Sequence, residues 1–489
     1  MRSYSERSYR RRAARESGPD SSDERENSIM QSTATNIQQL KSSFKGEILL
    51  PDDEAYEDAR KIWNAMIDKH PAVIARCFNP LDVVDAVNFA RDSGLMLAVR
   101  SGGHNIAGSA LCDDGIVIDL SKMKRASVSP GSRRVMIEAG ATLADLDAAT
   151  QAHGLATPVG INSTTGLAGL TLGGGFGWLS RKYGMTIDNL ESAEVVTAAG
   201  QVVRASAAEH PDLFWALRGG GGNFGVVTRF EFRLHAVGPD VLSGLIVYPL
   251  DQAGSVLRQY RDFAATAPDE LSVWALLRQA PPLPFLPEEV HGRGIVALAL
   301  VYAGDPRRGE PLIEPLRKFG VPVGEHVGVQ PYVAWQQAFD PLLAAGARNY
   351  WKSHNFSTLN DEVFDVAIDY IGRQPSPQCE MFFGALGGAS TRPSPDSTAY
   401  PHRDAEFVMN VHARWDSQDE DERCIGWARD FFNATAPLAN GGVYVNFMTA
   451  DEGDRLRAAY GPNYDRLASV KRAYDPDNLF RINQNIRPS

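Results

Sequence analysis

Cysteine is scarce in this chain. Its 489 residues include four, Cys77, Cys112, Cys379 and Cys424, and no two of them form a Cys-x-x-Cys pair. That excludes a zinc ribbon and a disulfide framework. It fits a reducing compartment, so a cytoplasmic protein is expected. Long apolar runs are missing as well, although hydrophobic residues make up 43% of the composition, so no membrane span or membrane partner is expected. There is no basic excess: the formal net charge is −11, and an acidic body without a basic stripe argues against nucleic acid. No apolar h-region opens the sequence, so no secretory signal is read. A Gly-x-x-x-x-Gly-Lys-Ser/Thr loop, a Gly-x-Ser-x-Gly elbow and clustered metal ligands are all absent, which removes P-loop, α/β-hydrolase and metal-dependent readings.

What the chain does have is glycine, 44 residues of it, in clusters. A short apolar run ends in Arg100-Ser101-Gly102-Gly103-His104-Asn105-Ile106-Ala107-Gly108. The Gly pair lets backbone approach a bound group, because no Cβ stands in the way, and one histidine follows on the same loop. The second cluster, Thr157–Gly177, has seven glycines in 21 residues, a density that neither helix nor strand tolerates. It reads as a backbone cradle whose N–H groups meet an anion or a ring carbonyl. Gly219–Gly225 superficially resembles a dinucleotide fingerprint, but it follows a helix rather than a strand.

The surrounding pattern is α+β. Residues 1–29 hold 7 Arg and 6 Asp or Glu and are expected to be disordered; alternatively, Met30 is the true start. Glu54–Ile67 has amphipathic helical spacing. Ala72–Arg76, a helix from Pro80 stopped by Gly94, and Leu95–Arg100 read as a βαβ unit with a right-handed crossover. The His104 loop then leaves a strand end, where open α/β sheets bind ligands. Strands are expected at Ile116–Leu120, Arg134–Gly140 and Val226–Leu234, with a hairpin of Glu194–Ala198 and Val202–Ser206. Thr142 caps a helix ending at Gly154, and Asp212–Leu217 is helical. Beyond Gly238-Pro239 the texture changes to longer alternations, Leu242–Leu250, Val273–Leu277, Ile295–Tyr302, Glu380–Leu386 and Phe407–Trp415, with helices at Asp361–Ile371 and Glu420–Thr435. This predicts one antiparallel sheet with helices on one face. A last strand, Val443–Met448, and two helices, about Asp451–Tyr460 and Asn463–Tyr474, follow. On that sheet Glu380 and Phe382 share a face, as do Asn410 and His412, which makes them candidate substrate-facing groups or ordinary solvent-facing ones.

Four strings, in this order, carry a resemblance: Val99-Arg100-Ser101-Gly102-Gly103-His104; Leu172-Gly173-Gly174-Gly175-Phe176-Gly177; Asp212–Thr228; and Tyr474-Asp475-Pro476-Asp477-Asn478-Leu479-Phe480-Arg481. Over about residues 60–489 the chain resembles the berberine bridge enzyme-like branch of the vanillyl-alcohol-oxidase/PCMH superfamily of FAD oxidoreductases. The resemblance implies a two-domain α+β protein. A disordered extension over 1–45 would precede a PCMH-type FAD-binding domain over 46–238. A substrate domain over 239–440 would follow, and a segment over 441–489 would return to the FAD domain.

The resemblance further implies FAD bound covalently through His104. Many relatives add a cysteine anchor in the long glycine loop. Asn162 occupies that position here, so single attachment is expected. The expected cofactor contacts are Arg100, Ser101, Gly102, Gly103, His104, Asn105 and Gly108; Asn162, Thr164, Gly166, Gly169, Gly173, Gly174, Gly175 and Gly177; and Gly225, Val227 and Asn446. Tyr444 is the expected catalytic base, since many relatives carry a second tyrosine where this chain has Phe447; packing on the flavin is its bland alternative. The implied reaction is two-electron oxidation of an alcohol or amine carbon, with hydride passing to flavin N5 and O2 returning H2O2. The alternatives are a flavin dehydrogenase using another acceptor and a noncatalytic flavin-binding protein.

Overall fold

Local signals start the elements that carry the site. In this computed structural model, which describes residues 37, 38 and 40–489, Asn79 caps the helix Pro80–Ser93 by accepting from Leu81 N and Asp82 N, and Gly94 ends it at φ 67°. Thr142 and Asp145 form a reciprocal capping box on the helix Leu143–Gln151. The expectations for residues 1–29 and Met30 lie outside the described residues. Residues 40–43 are helical, so order begins before the expected boundary at 45.

Phe44–Ser489 forms one compact unit. A four-stranded sheet runs in the order Glu47–Leu49, Val73–Arg76, Ile116–Asp119, Leu97–Arg100. The last three strands are parallel, so Ile116–Asp119 sits between the two strands of the βαβ unit. A five-stranded antiparallel sheet holds Ala126–Ser129, Arg134–Glu138, Val226–Arg233, Leu190–Val196 and Val202–Ser206.

The third large sheet has seven antiparallel strands. Their order is Gly324–Pro331, Asp240–Pro249, Gly294–Tyr302, Leu271–Gln279, Glu380–Ala385, Phe407–Trp415, Arg348–Phe356. Two of these, Gly324–Pro331 and Arg348–Phe356, were not expected. One face packs on the helices Ala253–Ala264, Asp361–Ile371 and Asp421–Thr435 through a core that includes Tyr260, Phe364 and Phe431. The other face packs on residues of the glycine-rich half, among them Phe176, Trp178 and Met185. Among the described residues no helix is long and apolar enough to cross a membrane.

Three local expectations fail for tertiary reasons. Only Tyr56–Ala59 of Glu54–Ile67 is helical. The rest is pulled out of a helix because Trp63 N–H donates to Gly103 O at 3.2 Å, Trp63 Nε1 to Leu343 O at 2.7 Å and Asn64 Nδ2 to Asn349 O at 3.0 Å. Val443–Met448 is not a strand but contains a 3-10 turn, Val445–Phe447, tied to the glycine stretch through Tyr444 and Asn446. The glycine stretch does contain a short helix, Leu167–Leu172, started where Leu167 N–H donates to Ala141 O at 2.9 Å.

Candidate active site

The His104 loop and the glycine stretch meet backbone to backbone. A Cβ on Gly102 would lie 2.3 Å from Gly166 N, and one on Gly166 would lie 2.2 Å from Gly102 N, so neither position accepts a side chain. These two loops form one wall of a cavity of about 290 Å³. The other wall is the inner face of the seven-stranded sheet, and Trp63 and Tyr444–Phe447 close the space between them. A Cβ at Gly169 or Gly222 would meet no protein atom within 4 Å, and both glycines border the cavity. Their missing side chains therefore leave room for a group lying on the backbone.

The sheet register lays a row of side chains across four strands. Arg278 pairs with Glu380, Glu380 with His412, and His412 with Trp351. Arg278 Nη1 donates to Glu380 Oε2 at 2.5 Å, and His412 Nδ1 lies 3.1 Å from Glu380 Oε1. Glu380 and His412 are each 6% exposed. The four candidate residues of this face are therefore buried and not solvent-facing; Phe382 and His412 border the cavity, whereas Glu380 and Asn410 lie behind it. Burial pushes the Glu380 carboxyl up, but the Arg278 guanidinium and the His412 ring outweigh it and hold it down at about 2. An ionised carboxylate only accepts hydrogen bonds, so His412 carries its proton on Nδ1. In the neutral ring Nε2 is then an acceptor, and this buried atom has no protein partner. The ring stacks on Trp351 with centroids 4.3 Å apart and planes 10° apart.

On the glycine side, the His104 ring stacks on Trp63 at 5.1 Å, and its Nε2 lies 3.0 Å from Thr164 Oγ1. Burial pulls its pKa down to about 4, so the imidazole is neutral at ordinary pH. The far end of the cavity is built by the C-terminal string. Lys471 and Asp475 form a fully buried ion pair at 2.6 Å; Lys471 Nζ also donates to Asn223 O and Phe480 O. Asn223 holds the tail through Gln484 O and Ile486 N. The Gly219–Gly225 and Tyr474–Arg481 strings are thus two halves of one clamp, which presents Phe480, Asn483 and Gln484 to the cavity.

A family model described as an FAD binding domain matches residues 71–206, and a second, described as berberine and berberine like, matches residues 443–487. An FAD-linked oxidoreductase of Dictyostelium discoideum is 34% identical over 458 residues, spanning 92% of this chain and 97% of that protein. The chain belongs to the berberine bridge enzyme-like family of FAD-linked oxidoreductases. The (R)-6-hydroxynicotine oxidase of Paenarthrobacter nicotinovorans is 32% identical over 461 residues, covering 91% of this chain and 97% of its own. The crystal structure of 6-hydroxy-D-nicotine oxidase from Arthrobacter nicotinovorans superposes with a TM-score of 0.83 at 30% identity, covering 91% of this chain and 99% of that one. The α+β architecture and an enzymatic role follow with the family, and the cofactor is FAD.

The residues of this FAD-linked oxidoreductase fit that cofactor: one wall is glycine backbone and the rest is largely apolar. Of the expected contacts, Ser101, Gly102, Gly103, His104, Asn105, Asn162, Gly166, Gly169, Gly225, Val227 and Asn446 border the cavity, as does Tyr444. The others stand behind it. Arg100 turns away into a buried ion pair with Asp119 at 2.5 Å. Gly108 packs on Ile67, Gly173 on the Asn446 side chain, Gly174 on Met185 and Tyr444, Gly175 on Thr186 and Gly177 on Val159 O. Thr164 reaches the cavity only through His104.

Tyr444 is poorly placed for a base. Its Oη accepts from Gly175 N and from Asn446 Nδ2, both at 2.9 Å, which occupies both lone pairs of a phenol. Burial pushes its pKa up to about 12, with those two donors pulling the other way. The hydroxyl ties the glycine stretch to the C-terminal segment. The aromatic ring bordering the cavity beside Trp351 and Phe382 is Phe447, which has no proton to exchange. Sequence reasoning missed Trp63, Trp274 and Trp351 as lining residues. Period-2 parity would have found Trp351 had its strand been read.

Proposed function

We propose that this FAD-linked oxidoreductase carries out a two-electron oxidation of a small alcohol or amine, with O2 as the final acceptor. When bound, FAD supplies the electron acceptor, taking hydride at N5 and passing the electrons to O2 to give H2O2. His412 Nε2 removes the proton from the substrate O–H or N–H. The observation that carries this reading is that nitrogen: a buried atom without a protein partner, in a wall otherwise made of Trp274, Trp351, Phe382 and Phe447. As Nε2 gains a proton the ring becomes cationic, and the Glu380 carboxylate at Nδ1 offsets that charge. Arg278 keeps Glu380 ionised. The surrounding aromatic rings exclude water and orient a flat, compact substrate. That one relative is named for oxidising 6-hydroxynicotine supports an amine or heteroaromatic substrate.

His104 holds the cofactor covalently and alone, with Asn162 standing where a second anchor would be. A neutral imidazole beside the glycine wall supports this, because only a free lone pair can form the bond. The test is anaerobic bleaching of the bound flavin against cyclic and aromatic amines, aromatic alcohols and sugars, followed by admission of air. Bleaching by a compact amine or alcohol, and return of the yellow colour with H2O2, is expected. Bleaching that persists in air would instead identify a dehydrogenase.

A further inference from the structure

We propose that Trp178 and Trp274 hold the oxygen of an alcohol substrate through their indole N–H groups, in a small chamber beside His412. This rests on the proton transfer to His412 proposed above, and it narrows the proton donor from an alcohol or amine to an alcohol.

The chamber adjoins the main cavity. The two share Ile161, Trp274, Leu343, Phe382 and His412 as lining residues. The chamber has a volume of about 20 Å³, and a single water needs about 10–15 Å³, so it has room for one water-sized group. Most of its lining is apolar. The charged lining groups, Arg278 and Glu380, are paired with each other at 2.5 Å. Three further lining residues carry a buried nitrogen without a protein partner: Trp178 Nε1, Trp274 Nε1 and His412 Nε2. The residues are 2%, 2% and 6% exposed. A buried polar group left unpaired costs free energy, so three of them around one small space select a ligand that pairs with all three.

The pairing is specific. An indole N–H only donates. With Nδ1–H turned to Glu380, His412 Nε2 accepts. The chamber thus offers two donors and one acceptor. A hydroxyl is their complement, because its oxygen accepts two hydrogen bonds and its proton is donated once. An amine nitrogen has one lone pair and would leave an indole unpaired. The indoles are held in place by their neighbours. Trp274 stacks on Phe382 with centroids 5.2 Å apart and planes 13° apart, and Trp178 packs on Trp274 at 4.8 Å and on Trp335 at 5.4 Å.

The same donors serve the reaction. As the substrate O–H bond breaks, its proton goes to His412 Nε2 and negative charge gathers on the oxygen, where two fixed N–H dipoles stabilise it. The carbon releases hydride to FAD and the C–O bond becomes a carbonyl. The alcohol loses two electrons and the cofactor gains them.

The test is anaerobic flavin reduction in the full-length holoprotein with alcohol and amine pairs on one skeleton: benzyl alcohol and benzylamine, 3-pyridinemethanol and 3-picolylamine, cyclohexanol and cyclohexylamine. In at least one pair the alcohol is expected to bleach the flavin about tenfold faster than its amine, the equivalent of one hydrogen bond. Amines that bleach as fast as their alcohols, or faster, overturn the choice of alcohol and leave the two-electron oxidation intact. No bleaching by either member of any pair overturns both. In parallel, Trp178→Phe and Trp274→Phe keep a ring and remove the N–H. Each is expected to lower the limiting rate of reduction by the alcohol about tenfold, with little change in its half-saturating concentration, because the charge forms only as the proton leaves. An unchanged limiting rate in both variants, or a loss confined to affinity, would overturn the role given to the indoles.

Discussion

The two walls of the cavity are built from different material. The glycine wall offers mostly backbone: the Gly102–Gly166 contact, Gly169 and Gly222, with His104 among its few side chains. The sheet wall offers side chains almost exclusively: Trp274, Trp351, Phe382 and His412, placed by strand register. Backbone is the same whatever the residue, so a wall of it suits one unvarying ligand. Side chains on alternate strand positions can be exchanged without disturbing the ladder behind them, so the second wall suits whatever substrate a family member meets. Under the proposal the two imidazoles also divide by task, His104 holding the cofactor and His412 taking a proton.

Substitutions on the two walls should therefore fail differently. The largest effect is expected at His412. His412→Ala should lower the rate of anaerobic flavin reduction by about 10²–10⁴-fold with flavin content unchanged. Loss of flavin from that variant would place His412 with the cofactor and erase the division. Next comes Gly102→Ala, whose Cβ would meet Gly166 N at 2.3 Å. Because the obstacle is backbone, both loops must shift, at a cost of about 1–3 kcal/mol or more. Bound flavin and melting temperature should fall together, and a variant that keeps both would show the close approach is dispensable.

Tyr444→Phe sharpens the contrast by removing a hydroxyl assigned to neither chemistry. Gly175 N–H and Asn446 Nδ2 lose an acceptor, for a stability loss of about 1–3 kcal/mol. Flavin reduction should stay within tenfold of the parent; a hundredfold drop with flavin in place would return the base to the phenol. The smallest effect belongs to the seam between the walls, where Gln336 Nε2 donates to buried Asp147 at 3.0 Å. Burial raises the Asp147 pKa to about 7 against the pull of that hydrogen bond. The unfolded carboxyl titrates near 4, so between pH 4 and 7 the folded state holds the extra proton and stability falls as pH rises. Asp147→Asn should remove about 1–2 kcal/mol of the loss between pH 5 and 7, read as melting temperature against pH. A parallel pair of curves would show that Asp147 does not titrate in this range.

How much of this was legible in the sequence follows the same division. The glycine wall could be read in one dimension, because close backbone approach demands glycine at fixed places and His104 is adjacent in the chain. Tail and clamp were visible as strings, but their meeting through Asn223 and Lys471 was not. On the sheet wall, parity put Glu380 beside Phe382 and Asn410 beside His412. The strand Arg348–Phe356 escaped because Lys352 and His354 look exposed on paper. In the fold Lys352 is neutralised by Asp451 and Glu452, and His354 stacks on Phe432 at 4.1 Å. Glu54–Ile67 carried a helical period, and contacts from Trp63 and Asn64 to residues nearly three hundred positions away overrode it. Tyr444 was expected as a base from the resemblance, and its partners could be known only from its place against Gly175.

The claim on which the rest depends is that the glycine wall carries FAD through His104 alone. The direct measurement is the flavin absorbance of acid-precipitated protein, parent beside His104→Ala. A yellow parent pellet and a colourless variant pellet are predicted. A colourless parent pellet, or acid-stable flavin in His104→Ala, would contradict the account.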